Sequence, residues 1–505
     1  MNSRDSVLAA LAKGPGTSPA ALLRAADDAL KLGLARQAEV SLDAATRSVP
    51  GDPRFWQFLG LARRALQDSA GANAAFMRAG RILPNDPLIT HSQARTALEA
   101  GYPAVKVFDH ARLLAPGDSE VALGRIAALF AAGEGRRACT ELEASLRVSP
   151  GWIDGHIALA RLAVQADPAR PIDASLRVAL AAHPAAGALW QALFQVLMEA
   201  RNFAAAAAAV DEARGALGPG AELDRIEAIC WSELGDAAAA QVVFDTLPFP
   251  HDAAAAIWPI RNFIRLGRFA EAVLLAEQKF DAASDITLWP YRALLWRLLE
   301  DPRWQWLEGD PRLIQTYDIS LAAGSLVQLA VLLRNLHRAQ AAPLDQSVRG
   351  GTQTDGNLLV RAEPELRQLR EALLDAVQDY IGQLPPPVPG HPMLLARREP
   401  LTVAGAWSVR LSDRGYHADH VHTQGWISSA CYIAVPPADP DLPESGWLAF
   451  GECRDLLPDL AAFRTEAPSP GKLVLFPSIM WHGTRPFGSG ERMTVAFDIA
   501  RPPQA

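Results

Sequence analysis

A chain of 505 residues is longer than one hydrophobic core usually supports, so two or three domains are expected. Half of the residues are apolar and 21% are charged, which is an ordinary globular composition. The formal net charge of −8 argues against a general nucleic-acid-binding protein. No apolar run is long enough to span a bilayer, so no membrane segment is expected.

The cysteines are few and far apart, and no two of them form a CxxC pair. They are Cys139, Cys230, Cys431 and Cys453. This spacing argues against an all-cysteine zinc site and against a disulfide framework. The first residues also lack the apolar segment of a signal peptide. These features predict a reduced, cytoplasmic setting.

Prolines recur about every 34 residues through the first half of the chain. They are Pro50, Pro84, Pro116, Pro150, Pro184, Pro219 and Pro248. The clearest unit runs from Pro53 to Asp86. It carries Trp56, Leu59, Gly60, Ala72, Phe76, Ala79 and Pro84 at fixed positions. This pattern resembles the tetratricopeptide consensus, in which two helices pack through small residues and a proline ends the second helix.

The repeats predict an all-α solenoid over residues 1–310. A further unit runs from Ile257 to about Phe280. A tryptophan-rich helical stretch from Trp289 to Trp306 follows, and we expect it to cap the last repeat. Tetratricopeptide arrays commonly bind peptides, so the resemblance implies a protein or peptide partner.

In the remaining chain, residues 311–505, the helical repeat pattern gives way to a different one. Glu363 to Leu384 forms one amphipathic pattern that ends at three prolines. Short strands follow, separated by turn residues. They are predicted at Leu401–Leu411, Trp426–Val435, Gly446–Phe450, Gly471–Phe476 and Arg492–Ile499. Strands without intervening helices indicate a sandwich or barrel, and an eight-stranded jelly roll with a flanking helix fits them. The fold class is therefore α+β and multidomain.

Histidines are concentrated near the C-terminus. The segment His417–His422 contains three of the eleven, and His482 and Arg492 follow downstream. A close pair of ligands, a distant histidine and a trailing arginine suit a mononuclear iron site with a bound 2-oxo acid. In a regular strand His420 and His422 share one face, whereas His417 and Asp419 share the other, so only one pair is expected to line the cavity.

The last third of the chain, from about Asp345 to Pro502, resembles the Fe(II)- and 2-oxoglutarate-dependent dioxygenases. Its nearest resemblance is to bacterial oxygenases of the prolyl/aspartyl hydroxylase-like superfamily that are fused to tetratricopeptide repeats. The segments that carry the resemblance are Gln346–Thr354, His420–His422, Gly425–Ala430, Gly446–Phe450 and Pro470–Ser478.

The resemblance implies that His420 and His482 bind iron. It also implies that Arg492 pairs with the C5 carboxylate of 2-oxoglutarate. Tyr432 and Thr494 are predicted to assist Arg492. The family usually has an acid two residues after the first histidine, but this chain has His422 there.

The third metal ligand therefore stays open at this point. Strand spacing favours His422 beside His420. In one alternative Asp419 reaches the metal through an irregular strand, and in the other His417 and Asp419 form the ligand pair.

The resemblance predicts a hydroxylase that uses Fe(II), 2-oxoglutarate and O₂ on a protein or peptide held with help from the repeats. Arg410, Gln353 and Thr354 are candidate substrate contacts, and Gln346–Thr354 is expected to be a plain loop or a lid. Two other functions remain open: a cupin-like metalloenzyme without a 2-oxo acid, and a non-catalytic interaction protein in which only the repeats act.

Overall fold

The computed structural model describes residues 4–14, 18–281, 284–319, 321, 324–344, 346–437 and 441–504. Asp345, at which the resemblance to the oxygenases begins, lies outside them. Contacts divide the chain into two compact units. One comprises residues 1–141 and 355–368, and the other comprises residues 142–354 and 369–505. This division differs from the expected boundary after residue 310, which stays a prediction.

Helices dominate the first three fifths of the chain. The first nine are α1 (Arg4–Ala12), α2 (Pro19–Lys31), α3 (Ala35–Ser48), α4 (Pro53–Ala65), α5 (Ser69–Ile82), α6 (Pro87–Glu99), α7 (Val105–Leu114), α8 (Ser119–Ala131) and α9 (Gly135–Val148). The next eight are α10 (Ile153–Ala166), α11 (Ala174–Ala182), α12 (Gly187–Glu199), α13 (Phe203–Leu217), α14 (Ala221–Glu233), α15 (Ala237–Phe244), α16 (Ala253–Arg265) and α17 (Phe269–Ala276). The last four are α18 (Trp289–Leu298), α19 (Arg303–Glu308), α20 (Ser325–Leu336) and α21 (Pro364–Gln383).

In the first unit, the helical pairs follow the predicted repeat. Asp52 and Asp86 accept backbone hydrogen bonds at the starts of α4 and α6, where Pro53 and Pro87 occupy the first helical positions. Pro50 and Pro84 follow closely on the ends of α3 and α5, as expected. The small and large residues of the repeat are fully buried, and they include Ala38, Leu42, Ala72, Phe76 and Ala79. The sequence therefore predicted these helical pairs correctly.

In the second unit, helical pairs continue through α16 and α17, which confirms the repeat predicted from Ile257 onward. One cluster of buried side chains spans α10 to α14, with Leu193, Val196 and Ala206 fully buried within it. A cluster around Ala256 and Ile260 of α16 also includes side chains from segments between the C-terminal strands, such as Cys453 and Trp481.

Nine strands are found in the described residues. They are β1 (Gln315–Asp318), β2 (Val348–Gln353), β3 (Val403–His417), β4 (Gly425–Ala434), β5 (Leu448–Phe450), β6 (Arg464–Glu466), β7 (Lys472–Pro477), β8 (His482–Thr484) and β9 (Arg492–Ala500). Six form an antiparallel sheet in the order β1-β7-β4-β9-β3-β2, and three form a second sheet in the order β6-β5-β8. Side chains of both sheets share one core, which includes Tyr432, Phe450 and Phe476. The result is a jelly-roll sandwich with flanking helices.

All five predicted strands are present, but four short ones were missed. The segment Gln346–Thr354 was expected to be a loop or lid, and this was wrong for most of it. Val348–Gln353 forms β2, which pairs with β3 through an irregular register at Gly350. Glycine-rich strands carry little side-chain pattern, so only the backbone ladder identifies this one. The helix α20 was also missed, whereas the predicted flanking helix is present as α21.

The tryptophan-rich stretch packs, within the second unit, against the segment that joins β7 to β8. The indole Nε1 of Trp481 donates a hydrogen bond to the carbonyl oxygen of Pro290 at 3.0 Å. The Tyr291 ring meets the Trp481 ring edge-on, with centroids 5.8 Å apart. These contacts cover the end of the helical array next to the segment that carries His482. Across the part of the chain that is described, no helix is both long enough and apolar enough to cross a membrane.

Candidate metal centre

Three histidines meet in one cavity between the two sheets. Ring nitrogens of His420, His422 and His482 all lie within 4.8 Å of one another. The ring centroids of His420 and His482 are 4.2 Å apart, and those of His420 and His422 are 4.9 Å apart. Imidazole nitrogen is a common ligand of Fe(II) and other transition metals. The cluster can therefore present three nitrogen ligands to one ion.

Backbone hydrogen bonds bring these histidines together. The strand β3 ends at His417, and an isolated bridge then joins His420 to His482. The amide of each residue donates to the carbonyl oxygen of the other, at 2.9 and 3.0 Å. The amide of His422 donates to the carbonyl oxygen of Ser478 at 2.8 Å. These bonds fix the ligand segments more firmly than side-chain packing alone.

The expectation that His417 faces away from His420 and His422 was wrong. His417, His420 and His422 all line the same cavity. Strict alternation fails because the backbone beyond His417 is no longer a regular strand. The hydroxyl of Ser347 lies 2.9 Å from Nδ1 of His417 and 3.2 Å from Nε2 of His420, so it bridges the two rings.

The hydrogen bonds of the three clustered histidines define which ring nitrogen carries the proton and which keeps its lone pair. Nδ1 of His420 lies 2.8 Å from the carbonyl oxygen of Ala418, and Nδ1 of His482 lies 2.9 Å from that of Met480. Nδ1 of His422 lies 2.8 Å from Oδ2 of Asp498. Because these oxygens only accept, Nδ1 carries the proton in each ring and Nε2 keeps its lone pair. Metal-binding histidines have this arrangement.

Burial keeps the rings of His420 and His482 neutral. It lowers the pKa of His482 to about 3, and the neighbouring His422 ring adds to the effect. Burial likewise lowers the pKa of His420 well below its usual value, with contributions from His482 and His422. Neutral imidazoles are the form that binds a metal ion.

Asp419 does not join the cluster. Its carboxylate accepts hydrogen bonds from the backbone amide of Arg454 and from Nε, both at 2.8 Å, and from Nη2 at 2.6 Å. The Asp419 side chain is almost completely buried beneath Gly483. Any side chain at position 483 would collide with that carboxylate. Both carboxylate oxygens are thus committed to Arg454.

Arg492 lies in the same cavity as the histidines and is 2% exposed. Its Nε and Nη1, and the hydroxyl of Tyr432, are buried and have no hydrogen-bond partner within the described residues. The guanidinium carbon lies 5.0 Å from the centre of the Tyr432 ring. Thr494 lines the cavity as well, and it stands opposite Tyr432 between β4 and β9. Buried donors without acceptors are costly, so this arrangement fits an anion.

The proposed substrate contacts have different positions. Gln353 lines the cavity. Thr354 is buried and accepts a hydrogen bond from the Ser408 amide at 2.9 Å. Arg410 is partly exposed, pairs with Glu491 at 2.6 Å, and is not among the residues that line the cavity. The structure therefore brings only Gln353 of these three next to the histidines.

Two features of the site were not predicted. Asp498 contacts His422, and Ser428 donates a hydrogen bond to Oδ1 of Asp498 at 2.6 Å. Strand alternation contained the signal, because Asp498 follows Arg492 and Thr494 at even spacing on β9. Aromatic rings also enclose the cluster: Phe476 lies 4.7 Å from His482, and Trp407 lies 5.7 Å from His422, between centroids. No local pattern indicated these rings.

Comparison with known proteins gives one family match. Residues 405–498 match the model of the family described as "Putative 2OG-Fe(II) oxygenase". This range contains His420, His422, His482, Arg492 and Asp498. No curated protein matches the chain.

Several solved structures are similar to parts of the chain. A tetratricopeptide repeat protein from Parabacteroides merdae is 17% identical, with 44% of this chain and 90% of that chain covered and a TM-score of 0.30. A prolyl-4-hydroxylase from Pseudomonas putida is 16% identical, with 41% and 98% covered and a TM-score of 0.27. HygX from Streptomyces hygroscopicus, solved with nickel and 2-oxoglutarate, is 13% identical, with 39% and 86% covered and a TM-score of 0.28.

Proposed function

Because the chain carries a 2OG-Fe(II) oxygenase domain and is a 2-oxoglutarate-dependent dioxygenase, we propose that it hydroxylates a protein or peptide held with help from the repeats. In this proposal His420, His422 and His482 hold Fe(II), and Arg492 holds 2-oxoglutarate. One observation carries it. Three imidazoles with an unprotonated Nε2 share a cavity with a buried arginine whose Nε and Nη1 lack a partner among the described residues.

His422 takes the place of the usual acid in this proposal. Iron sites of this class commonly use two histidines and one carboxylate. Here the carboxylate of Asp498 lies behind His422 rather than at the metal position. A histidine that donates its N–H to a carboxylate becomes a stronger ligand, so Asp498 returns negative charge to the site through the ring. The commitment of Asp419 to Arg454 supports His422 over Asp419 as the third ligand.

Arg492, Tyr432 and Thr494 would bind the far carboxylate of 2-oxoglutarate. The planar guanidinium can donate two parallel hydrogen bonds to a carboxylate. Burial raises the pKa of Tyr432 while the charge of Arg492 opposes the rise, so the hydroxyl stays protonated at neutral pH and can donate. The hydroxyl of Thr494 can add a third donor. This set suits a dicarboxylate better than a neutral ligand.

With Fe(II) bound, 2-oxoglutarate and O₂ react to give succinate and CO₂, and the second oxygen atom is inserted into a C–H bond of the substrate. The chain contributes an enclosed setting for that reaction. Phe476 and Trp407 limit water beside the histidines, which strengthens the electrostatic contacts inside the cavity. Gln353, Gln346 and Ser347 line the cavity and are the polar groups available to orient the substrate.

The cupin-like alternative would use the histidines without a 2-oxo acid. It provides no acceptor for the buried donors of Arg492 and Tyr432. The non-catalytic alternative, in which only the repeats act, likewise explains neither those donors nor the protonated Nδ1 of each clustered histidine.

The test is succinate formation from 2-oxoglutarate by full-length protein purified without oxygen and supplied with Fe(II). We expect slow succinate formation that rises when the substrate is present. His420→Ala and His482→Ala should abolish it. His91→Ala, in the first helical unit, is the matched control and should leave it unchanged. Equal succinate formation in all these variants would refute the assignment.

A further inference from the structure

A second cavity, of about 560 Å³, lies beside the histidine cavity. Gln346, Ser347 and His420 line both cavities. One part of its remaining wall comes from three consecutive helical pairs of the repeat array and includes Met198, Arg201, Phe203, Glu233, Trp258 and Arg261. The other part comes from the C-terminal region and includes Leu344, Arg349 and Asp419. We call this second cavity the repeat cleft. A molecule bound in it touches the repeats and the edge of the histidine cluster at once.

Among the described residues, each acidic group in the wall of the repeat cleft is paired with a neighbouring cation. Glu233 pairs with Arg261 and Arg265, both at 2.8 Å. Glu199 pairs with Arg161 at 2.7 Å. Asp419, the remaining acid, is held by Arg454. None of the three acids that line the cleft in the described part of the chain therefore offers an unpaired negative charge to a ligand.

One cation of the repeat cleft lacks such a partner. Arg261 and Arg201 each donate to Asp455 at 2.9 Å. Arg349 differs, because its Nη1 donates only to the carbonyl oxygens of Gln346 and Val348, and no acid pairs with it among the described residues. A carboxylate would complement this unbalanced charge.

The position of Arg349 ties it to the proposed reaction. It stands on β2 opposite Tyr416 of β3, next to the pair formed by Val348 and His417. It is half-buried, as are Trp258 and Leu344 across the cleft. A ligand held by Arg349 therefore meets apolar surface from the repeats on one side and the histidine cavity on the other.

Building on the proposed function, we propose that the repeat cleft binds a peptide segment of the substrate, and that Arg349 pairs with an acidic side chain of that segment. A peptide fits better than a small carboxylate because the wall extends over three helical pairs, and repeat arrays offer extended surfaces of this kind. Met198, Phe203 and Trp258 give the cleft an apolar part, so an apolar residue near the acidic one completes the match.

Binding of oriented peptide libraries tests this inference directly. Each library is a mixture of ten-residue peptides that carry an uncharged dye and one fixed central residue: Asp, Asn or Lys. Fluorescence polarisation with the full-length protein loaded with Mn(II) and 2-oxoglutarate gives an apparent Kd for each library. We expect the Asp library to bind about five- to tenfold more tightly than the Asn library, and the Lys library to bind most weakly.

Two variants and a control complete the test. Arg349→Gln should remove the preference for Asp over Asn, and Arg349→Glu should reverse it towards Lys. Arg334→Gln removes the same charge from an exposed arginine that pairs with Glu491, outside the cleft, and should keep the preference. A preference that survives Arg349→Gln, or one absent from the unmodified protein, overturns the inference.

Succinate formation, measured in parallel, separates this inference from the proposed function. Turnover without any library preference refutes only the role of Arg349. A preference that depends on Arg349 without turnover refutes the oxygenase assignment and leaves the cleft as an acidic-peptide site.

Discussion

Asp498 lies behind the ring of His422, with its Oδ2 2.8 Å from Nδ1. The carboxylate also accepts a hydrogen bond from Ser428, so its position is fixed from two sides. A three-histidine cluster has no negative ligand of its own. Asp498 supplies one negative charge indirectly, through its hydrogen bond with His422. The same bond gives the His422 ring the orientation that a metal ligand needs.

Replacing Asp498 with asparagine should therefore weaken metal binding. The amide keeps the size and one acceptor but loses the charge, so we expect the Kd for Mn(II) or Fe(II) to rise about 10- to 100-fold. Metal titration of the purified protein measures this without any turnover. Asp375→Asn, at an exposed position of α21, is the matched control and should not change the Kd. An unchanged Kd for Asp498→Asn would show that metal binding does not depend on the hydrogen bond between Asp498 and His422.

Arg492 should determine the affinity for 2-oxoglutarate. Arg492→Lys keeps the charge but loses the planar pair of donors, so we expect a loss of about 10-fold, and Arg492→Gln should lose about 100-fold or more. Calorimetric titration of 2-oxoglutarate into the Mn(II)-loaded protein gives these values. Arg312→Lys, which replaces an exposed arginine paired with Asp310, serves as the control. A titration in which both Arg492 variants bind like the unmodified protein would exclude Arg492 as the anchor.

The adjacent residues Arg454 and Asp455 link the repeats to the segment that carries His420 and His422. Arg454 holds Asp419, and Asp455 receives hydrogen bonds from Arg201 and Arg261 of the repeat helices. Arg454→Met leaves the buried carboxylate of Asp419 without its cationic partner, so we expect the free energy of unfolding to fall by about 2–4 kcal/mol. Denaturant unfolding measures the loss.

A double variant tests the origin of that loss. Asp419→Asn combined with Arg454→Met should recover most of the stability, because the unpaired charge is then absent. The double variant could instead lose as much unfolding free energy as the two single variants combined. That result would show that Asp419 and Arg454 do not interact as the geometry indicates.

Glu308 should make stability depend on pH. Burial raises its pKa to about 7, against the opposing hydrogen bond from Trp304 and the charge of Arg297. The folded state therefore holds this proton more tightly than the unfolded state. The contribution of protonated Glu308 to the free energy of unfolding is fully present below the pKa of the unfolded state, about 4.5. It is lost as the pH rises through about 7.

Glu308→Gln should remove that dependence. Relative to the unmodified protein, the variant should gain about 2–3 kcal/mol of unfolding free energy between pH 5 and pH 8. Denaturant unfolding at the two pH values measures the difference, and Glu300→Gln at an exposed position is the control. If the difference in unfolding free energy between Glu308→Gln and the unmodified protein is the same at both pH values, Glu308 is not the source of the pH dependence.

The sequence predicted the helical pairs and the clustered histidines because both depend on spacing along the chain. Pro50 and Pro84 fall just after helices at the predicted period, and His420, His422 and His482 meet in one cavity. Face alternation failed at His417 because the strand ends there. The same rule, applied further along β9, would have found Asp498.

Contacts between residues far apart in the chain could not be predicted. Asp455 meets Arg201 and Arg261 across separations of 254 and 194 residues, and no local pattern records those pairings. The repeat cleft likewise exists only where repeat helices, β2 and the histidine segment meet. Side-chain packing decides these positions, and a single sequence does not encode them in its periodicity.

The central claim is that the histidine cluster and Arg492 together catalyse the decarboxylation of 2-oxoglutarate. Release of ¹⁴CO₂ from 2-[1-¹⁴C]oxoglutarate by the Fe(II)-loaded full-length protein tests it most directly. We predict release that requires both Fe(II) and O₂ and that falls to background in His482→Ala and in Arg492→Gln. Release that continues unchanged in either variant would contradict the claim, as would its absence from unmodified protein with bound Fe(II) and added substrate peptide.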